Sequence, residues 1–165
     1  HRGVLKMAQR RVVLTMPASA AAAFEAFHNH DKRLLWDTLL SVAYVEGGGT
    51  HPYVGAVTTN LGCGWKRLLG MRTRFVSYAP PSIAAAVIVA PTGPFEFWAA
   101  SMRHRDLADG MSELTYTFNI RLRPQFLGRV LGPVAARIFE LETRRRFAAM
   151  ASYLRRQGKP DDGPC

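Results

Sequence analysis

The periodicity of the chain changes once, at Pro124. Before it, short segments alternate apolar and polar side chains. The clearest is 113–123, where Leu114, Tyr116, Phe118, Ile120 and Leu122 interleave with Glu113, Thr115, Thr117, Asn119 and Arg121. That spacing gives a strand one apolar face. After Pro124 the spacing is helical to about Gln157. With about 100° per residue, Ala136, Phe139, Thr143, Phe147, Met150 and Leu154 share one stripe. Arg137, Arg144, Arg145, Arg155 and Arg156 lie roughly opposite. Val134, Ile138 and Leu141 join that opposite side, so the start of the helix is apolar almost all round. One long helix must therefore cover a set of strands.

The strands are expected at 10–16, 42–46, 54–61, 66–79 (disturbed at Gly70), 83–90, 95–105 and 113–123. Two short helices are expected after the first strand: 20–29 capped by Ser19, and 32–40 capped by Asp31. Gly132-Pro133 is expected to start or kink the long helix. This is an α+β arrangement: an antiparallel sheet of six to seven strands, bent around a long C-terminal helix. A sheet that grips a helix at one end leaves a hollow at the other. The apolar start of the helix, Val134 and Ile138 included, would roof it.

Composition removes several classes. With 165 residues and 48% hydrophobic content, one core without staples is feasible. Cys63 and Cys165 are too few for a zinc ribbon or disulfide framework, and a reduced Cys63 suits the cytoplasm. No apolar run reaches the ~18 residues of a membrane span. The first residues hold no hydrophobic signal, and His1 in place of Met points to an added or trimmed end, with Met7 as a candidate start. Residues 1–7 are expected to be such a terminus, 158–165 a loose tail, and 8–157 one domain.

The net charge is +10, and ten basic residues against Glu140 and Glu142 place +8 of it between Arg121 and Lys159. No nucleic-acid-binding signature accompanies them, so the expectation is a solvated helix face or one that meets an anionic membrane or acidic protein surface, with nucleic acid disfavoured. A cytoplasmic protein, peripheral to the inner membrane if that face docks, is the matching location.

Few residues promise chemistry. His28, His30 and Asp31 lack the spacing of helical zinc ligands, so no metal is expected, and nothing points to a cofactor. Gly47, Gly48 and Gly49 suit a hairpin connection or a lid, not a phosphate loop. His104, if its strand face turns inward, is a candidate general base. Asp37, beside Trp36, is a candidate acid with a raised pKa. Trp36, Tyr44, Phe75, Trp98, Tyr116 and Phe118 fall where they would line the inner face. The Tyr44 and Tyr116 hydroxyls could orient a carbonyl or phenol.

The order of elements resembles the helix-grip fold of the START-like, or SRPBCC, superfamily, which includes the Bet v 1-like carriers. The resemblance rests on VVLTMPASAAAAFEAF (12–27), LLWDTLLSVAYVE (34–46), GMSELTYTFNIRL (110–122) and GRVLGPVAARIFELETRRRFAAMASYL (128–154). It covers about 8–157 and is closest to the polyketide cyclase/dehydrase branch. It implies that a hydrophobic small molecule, a lipid, quinone or polyketide, is bound and carried in the cavity. The first alternative is ring closure or dehydration of an aromatic polyketide-like substrate, with Tyr44, Tyr116 and His104 as candidate catalytic residues. The second is a peripheral membrane or chaperone-like factor that docks through the basic helix. The oligomeric state is left open.

Overall fold

A computed structural model of the chain describes residues 7–62 and 70–158. Strand β1 (Ala8–Met16) leads into helices α1 (Ala20–His28) and α2 (His30–Trp36). Strands β2 (Leu40–Val45), β3 (Val57–Gly62), β4 (Met71–Ala79), β5 (Ile83–Ile88), β6 (Phe95–Asp106) and β7 (Ser112–Leu122) follow, and helix α3 (Gln125–Gln157) closes the fold. The expectations for Cys63, Cys165 and the start of the 66–79 strand lie outside the described residues.

The strands form one seven-stranded sheet in the order β1-β7-β6-β5-β4-β3-β2. Every neighbouring pair is antiparallel. The long β6–β7 hairpin runs from Phe95 opposite Leu122 to Asp106 opposite Ser112, as its alternation predicts. The helix-grip architecture is thus in place: among the described residues, seven strands, one long helix and two short α-helices.

Local chemistry sets the helix ends. The Ser19 hydroxyl accepts from the Ala22 amide, as expected, and Asp106 of β6 accepts from the Ala20 amide at 2.8 Å. These two acceptors satisfy free donors of the first turn and tie α1 to the sheet. The cap of α2 is Asn29, whose side chain accepts from Asp31 and Lys32, and not Asp31. Asn29 also ends α1, so one residue turns the chain between the helices. Helix α3 starts at Gln125, a full two turns before Gly132-Pro133, and Pro133 lies inside it. A proline there removes one backbone hydrogen bond without ending a helix held by packing.

Helix α3 packs on β1 and β7, at one end of the sheet. Its inward stripe is the expected one: Ala136, Phe139, Thr143, Phe147, Met150 and Leu154 are all buried. Each large apolar side chain there contributes about 1.5–3 kcal/mol. Gly128 lets the first turn lie close, because a Cβ would stand 2.8 Å from the Leu122 carbonyl oxygen. The opposite side is open. Phe126, Leu127, Val130, Leu131, Val134, Ile138 and Leu141 are between 45% and 73% exposed. Val134 and Ile138 therefore do not roof a hollow, because the helix has a sheet on one side only.

The Gly-rich connection is fastened to α1 and α2. The amide of His30 donates to the Thr50 carbonyl, and His51 Nε2 lies 2.9 Å from the Glu25 carboxylate. It is a tied hairpin connection, and none of residues 46–55 lines the hollow described next.

Candidate functional site

Because α3 grips β1 and β7, the inner face of β3–β6 is left partly uncovered, and a hollow of about 670 Å³, counting the part open to solvent, forms there. Small side chains make the room: Ala84 and Ala86 on β5 and Ala100 on β6 sit where larger residues would fill it. Met71, Phe75, Trp98, Met102 and Phe139 supply apolar walls.

One charged cluster stands in the wall. Helix α2 places Arg33 and Asp37 four residues apart, so the Arg33 Nε donates to Asp37 Oδ2 at 3.0 Å. From α3, Arg146 donates to both oxygens of the same carboxylate, at 3.0 and 2.8 Å. The Leu39 amide donates to Asp37 Oδ1 at 3.0 Å. The side chains of Arg33, Arg146 and Asp37 are 10%, 7% and 0% exposed. Burial opposes ionisation of Asp37, but the two guanidiniums outweigh it and hold the carboxyl far below its ordinary range. The expected raised pKa is thus reversed, because the neighbours are cations and not aromatic rings alone. Arg33 also lies 4.2 Å over the Phe27 ring.

Tyr116 lines the hollow near this cluster, in electrostatic reach of both arginines and of Asp37. Burial raises its pKa against the pull of the guanidiniums, so the phenol stays protonated near neutrality. His28 lines the hollow from the end of α1. Its Nδ1 lies 3.0 Å from the Phe24 carbonyl, which can only accept, so Nδ1 carries the proton and Nε2 is an acceptor. Burial pushes His28 well below its usual pKa and keeps the ring neutral.

The eight expected lining residues divide three ways. Phe75, Trp98 and Tyr116 line the hollow. Trp36 and Phe118 are core: the Trp36 indole donates to the Ala26 carbonyl, and Phe118 packs against Phe139 beneath α3. Tyr44, Val134 and Ile138 point outward, Tyr44 with 48% exposure. An irregularity between Leu40 and Val42 sets the phase of β2, so Ala43 and Val45 turn inward and Tyr44 does not. His104 does face inward, but it packs edge-on to Phe24 instead of lining the hollow. Burial pushes it down to about 4, which makes it a poor base near neutrality. Tyr44, Tyr116 and His104 therefore do not converge. Arg33, Arg146 and His28 line the hollow without having been expected to. Among the described residues no group of His, Cys, Asp or Glu could hold a metal ion.

The buried histidines predict a pH response. Unfolded, His104 takes a proton near pH 6.5, but folded it resists until about 4. The protein should hold full stability above pH 6.5 and lose about 3 kcal/mol from His104 as pH falls to 4. Thermal melts from pH 7 to 4 would read it. The decline should become shallower in His104→Leu, with His28 supplying the remainder.

Solved structures share this fold at low identity. The structure superposes on the crystal structure of Ara h 8.0201 with a TM-score of 0.66 and 13% identity, over 90% of this chain and 97% of that one. A START superfamily protein from Mycobacterium smegmatis gives 0.69 and 9%, over 90% and 99%. The di-domain ARO/CYC BexL from the BE-7585A biosynthetic pathway gives 0.75 and 10%, over 94% of this chain and 48% of that one. This chain therefore spans about half of BexL. No curated protein matches the sequence. A family model described as polyketide cyclase/dehydrase and lipid transport matches residues 7–155.

Proposed function

The chain belongs to the polyketide cyclase/dehydrase and lipid-transport family, and from that premise we propose that it binds and carries a hydrophobic small molecule in the hollow between the sheet and α3. The observation that carries this reading is a wall of Met71, Phe75, Trp98, Met102 and Phe139 around space kept open by alanines. Solvent extraction of freshly purified protein, followed by mass spectrometry, is expected to release an apolar molecule. A hydrophobic fluorescent dye should bind the extracted protein, and Ala86→Phe, which fills the hollow from β5, should abolish that binding. An empty extract together with no dye binding would overturn the reading.

Ring closure on an aromatic polyketide-like substrate is a weaker fit. Of its three candidate residues, Tyr116 alone lines the hollow.

A second reading has its own observation. Taking about 100° per residue, the seven exposed apolar residues of α3 fall within an arc of about 140° and run about 22 Å along the helix. Contiguous apolar exposure of that kind marks a contact surface. Arg137, Arg144, Arg145, Arg155 and Arg156 lie in the same arc. An anionic bilayer complements both parts, the apolar stripe entering the headgroup boundary and the arginines meeting phosphates. Among the described residues no helix is long and apolar enough to cross a membrane, so the contact would be peripheral.

A further inference from the structure

The hollow is apolar in most of its wall, yet the charge beside it does not balance. Asp37 supplies one negative charge, while Arg33 and Arg146 supply two positive ones, all in side chains no more than 10% exposed. Arginine does not shed its proton to relieve this. Glu142, one turn before Arg146 on α3, is paired with the exposed Arg145 at 3.8 Å and also acts electrostatically on Arg146, so it answers charge at Arg146 and not at Arg33. A closed ion pair needs one guanidinium. The second leaves a net positive charge in a poorly solvated place, which is costly unless an anion completes it.

The donors that remain belong to residues lining the same hollow. Arg146 already grips Asp37 with two nitrogens. Arg33 uses only Nε on it, and its two terminal nitrogens have no hydrogen bond among the described residues. The guanidinium lies over Phe27, and both residues line the hollow. Trp98 Nε1 is buried without a partner among the described residues, and Tyr116 lines the same hollow. Residues that carry a cation or an unused N–H thus line an otherwise apolar site. Such a set matches a carboxylate, whose two oxygens take a guanidinium fork and a further donor.

We infer that the occupant of this hollow is an apolar molecule with a carboxylate end, held by the outer nitrogens of Arg33 with Arg146 beside it while its body lies on Met71, Phe75 and Trp98. This rests on the ligand-binding reading above and adds the head group to it. The carboxylate would turn two guanidiniums on one anion into two matched pairs. A neutral apolar molecule of the same length would leave the surplus charge unanswered, and a cationic one would be repelled.

Matched ligands test this at pH 7.5, by displacing a hydrophobic dye from the full chain with decanoate, decanol or decyltrimethylammonium. Decanoate should bind about tenfold or more tighter than decanol, and the ammonium weakest of the three. Arg33→Gln leaves Arg146 and Asp37 as a balanced bidentate pair, so it should stay folded. In that variant decanoate should lose its advantage while decanol binds as before. Equal binding of decanoate and decanol to the unaltered protein would overturn the head-group inference and leave the ligand site standing. Failure of all three, with no dye binding, would overturn the ligand site as well. Because the first comparison uses the unaltered chain, it holds even if Arg33→Gln unfolds.

Discussion

Asp37→Asn should destabilise the protein by about 3–5 kcal/mol, because it removes the carboxylate that two buried guanidiniums grip together. Asparagine keeps the shape of the side chain, but its NH₂ group would face donors. The Leu39 amide and three guanidinium N–H groups now converge on Asp37. Removing the charge leaves a doubly cationic cluster with at most one good acceptor. In a chain of this length that corresponds to a fall in Tm of roughly 10 °C or more. The triple change Arg33→Met, Asp37→Leu, Arg146→Met should be far milder, since removing a whole buried ionic group is often neutral or stabilising. Thermal and urea unfolding of both variants would check this, and an unchanged midpoint in Asp37→Asn would contradict the role given to that carboxylate. The acid side gives a second reading. The folded carboxyl titrates below its unfolded value of 3.8, so its contribution is present above that pH and is lost as pH falls lower. That lowest limb should vanish in Asp37→Asn, while the His104 limb between pH 6.5 and 4 should persist.

This cluster also marks where sequence reading ends. The inward stripe of α3 and the alternation of β7 were legible, because each is a local period of one element. Arg146 stands at the edge of that stripe, within a run of three arginines that reads as a solvated face. What turns it inward is Asp37, 109 residues away, and nothing local announces such a partner. The face of Tyr44 was lost for a different reason: one irregularity at the start of β2 reverses the phase of all that follows. His28 was weighed only as a metal ligand, yet it stands at the end of α1 and lines the hollow. Phe118 and Tyr116 share a face of β7 and both meet α3, yet Phe118 is sealed against Phe139 while Tyr116, against Phe147, also lines the hollow. The apolar start of α3 was visible in full, but a helical wheel cannot say which of two apolar sides the sheet will take.

That second side supports the remaining large effect. Val130→Asp with Val134→Asp should cut binding to anionic vesicles by about tenfold or more while leaving the fold intact. The two valines are 73% and 54% exposed, so little packing is lost. Aspartate and valine have similar helix propensities, so stability should move by no more than about 0.5–1 kcal/mol. At a bilayer the same change puts two charges into the headgroup boundary and adds repulsion from anionic lipid. Arg155→Gln with Arg156→Gln removes only the long-range attraction, so it should weaken binding mostly at low salt. Co-sedimentation with phosphatidylserine-containing and phosphatidylcholine vesicles separates the two contributions. Wild-type binding that is equal on both vesicle types, or absent, would dismiss the bilayer contact. So would a concentration-dependent dimer that the valine substitutions dissociate, since the stripe would then be covered by a second copy. The charges favour the bilayer over that dimer, because a self-pairing stripe would bring the arginines of two helices together, whereas phosphate headgroups would neutralise them.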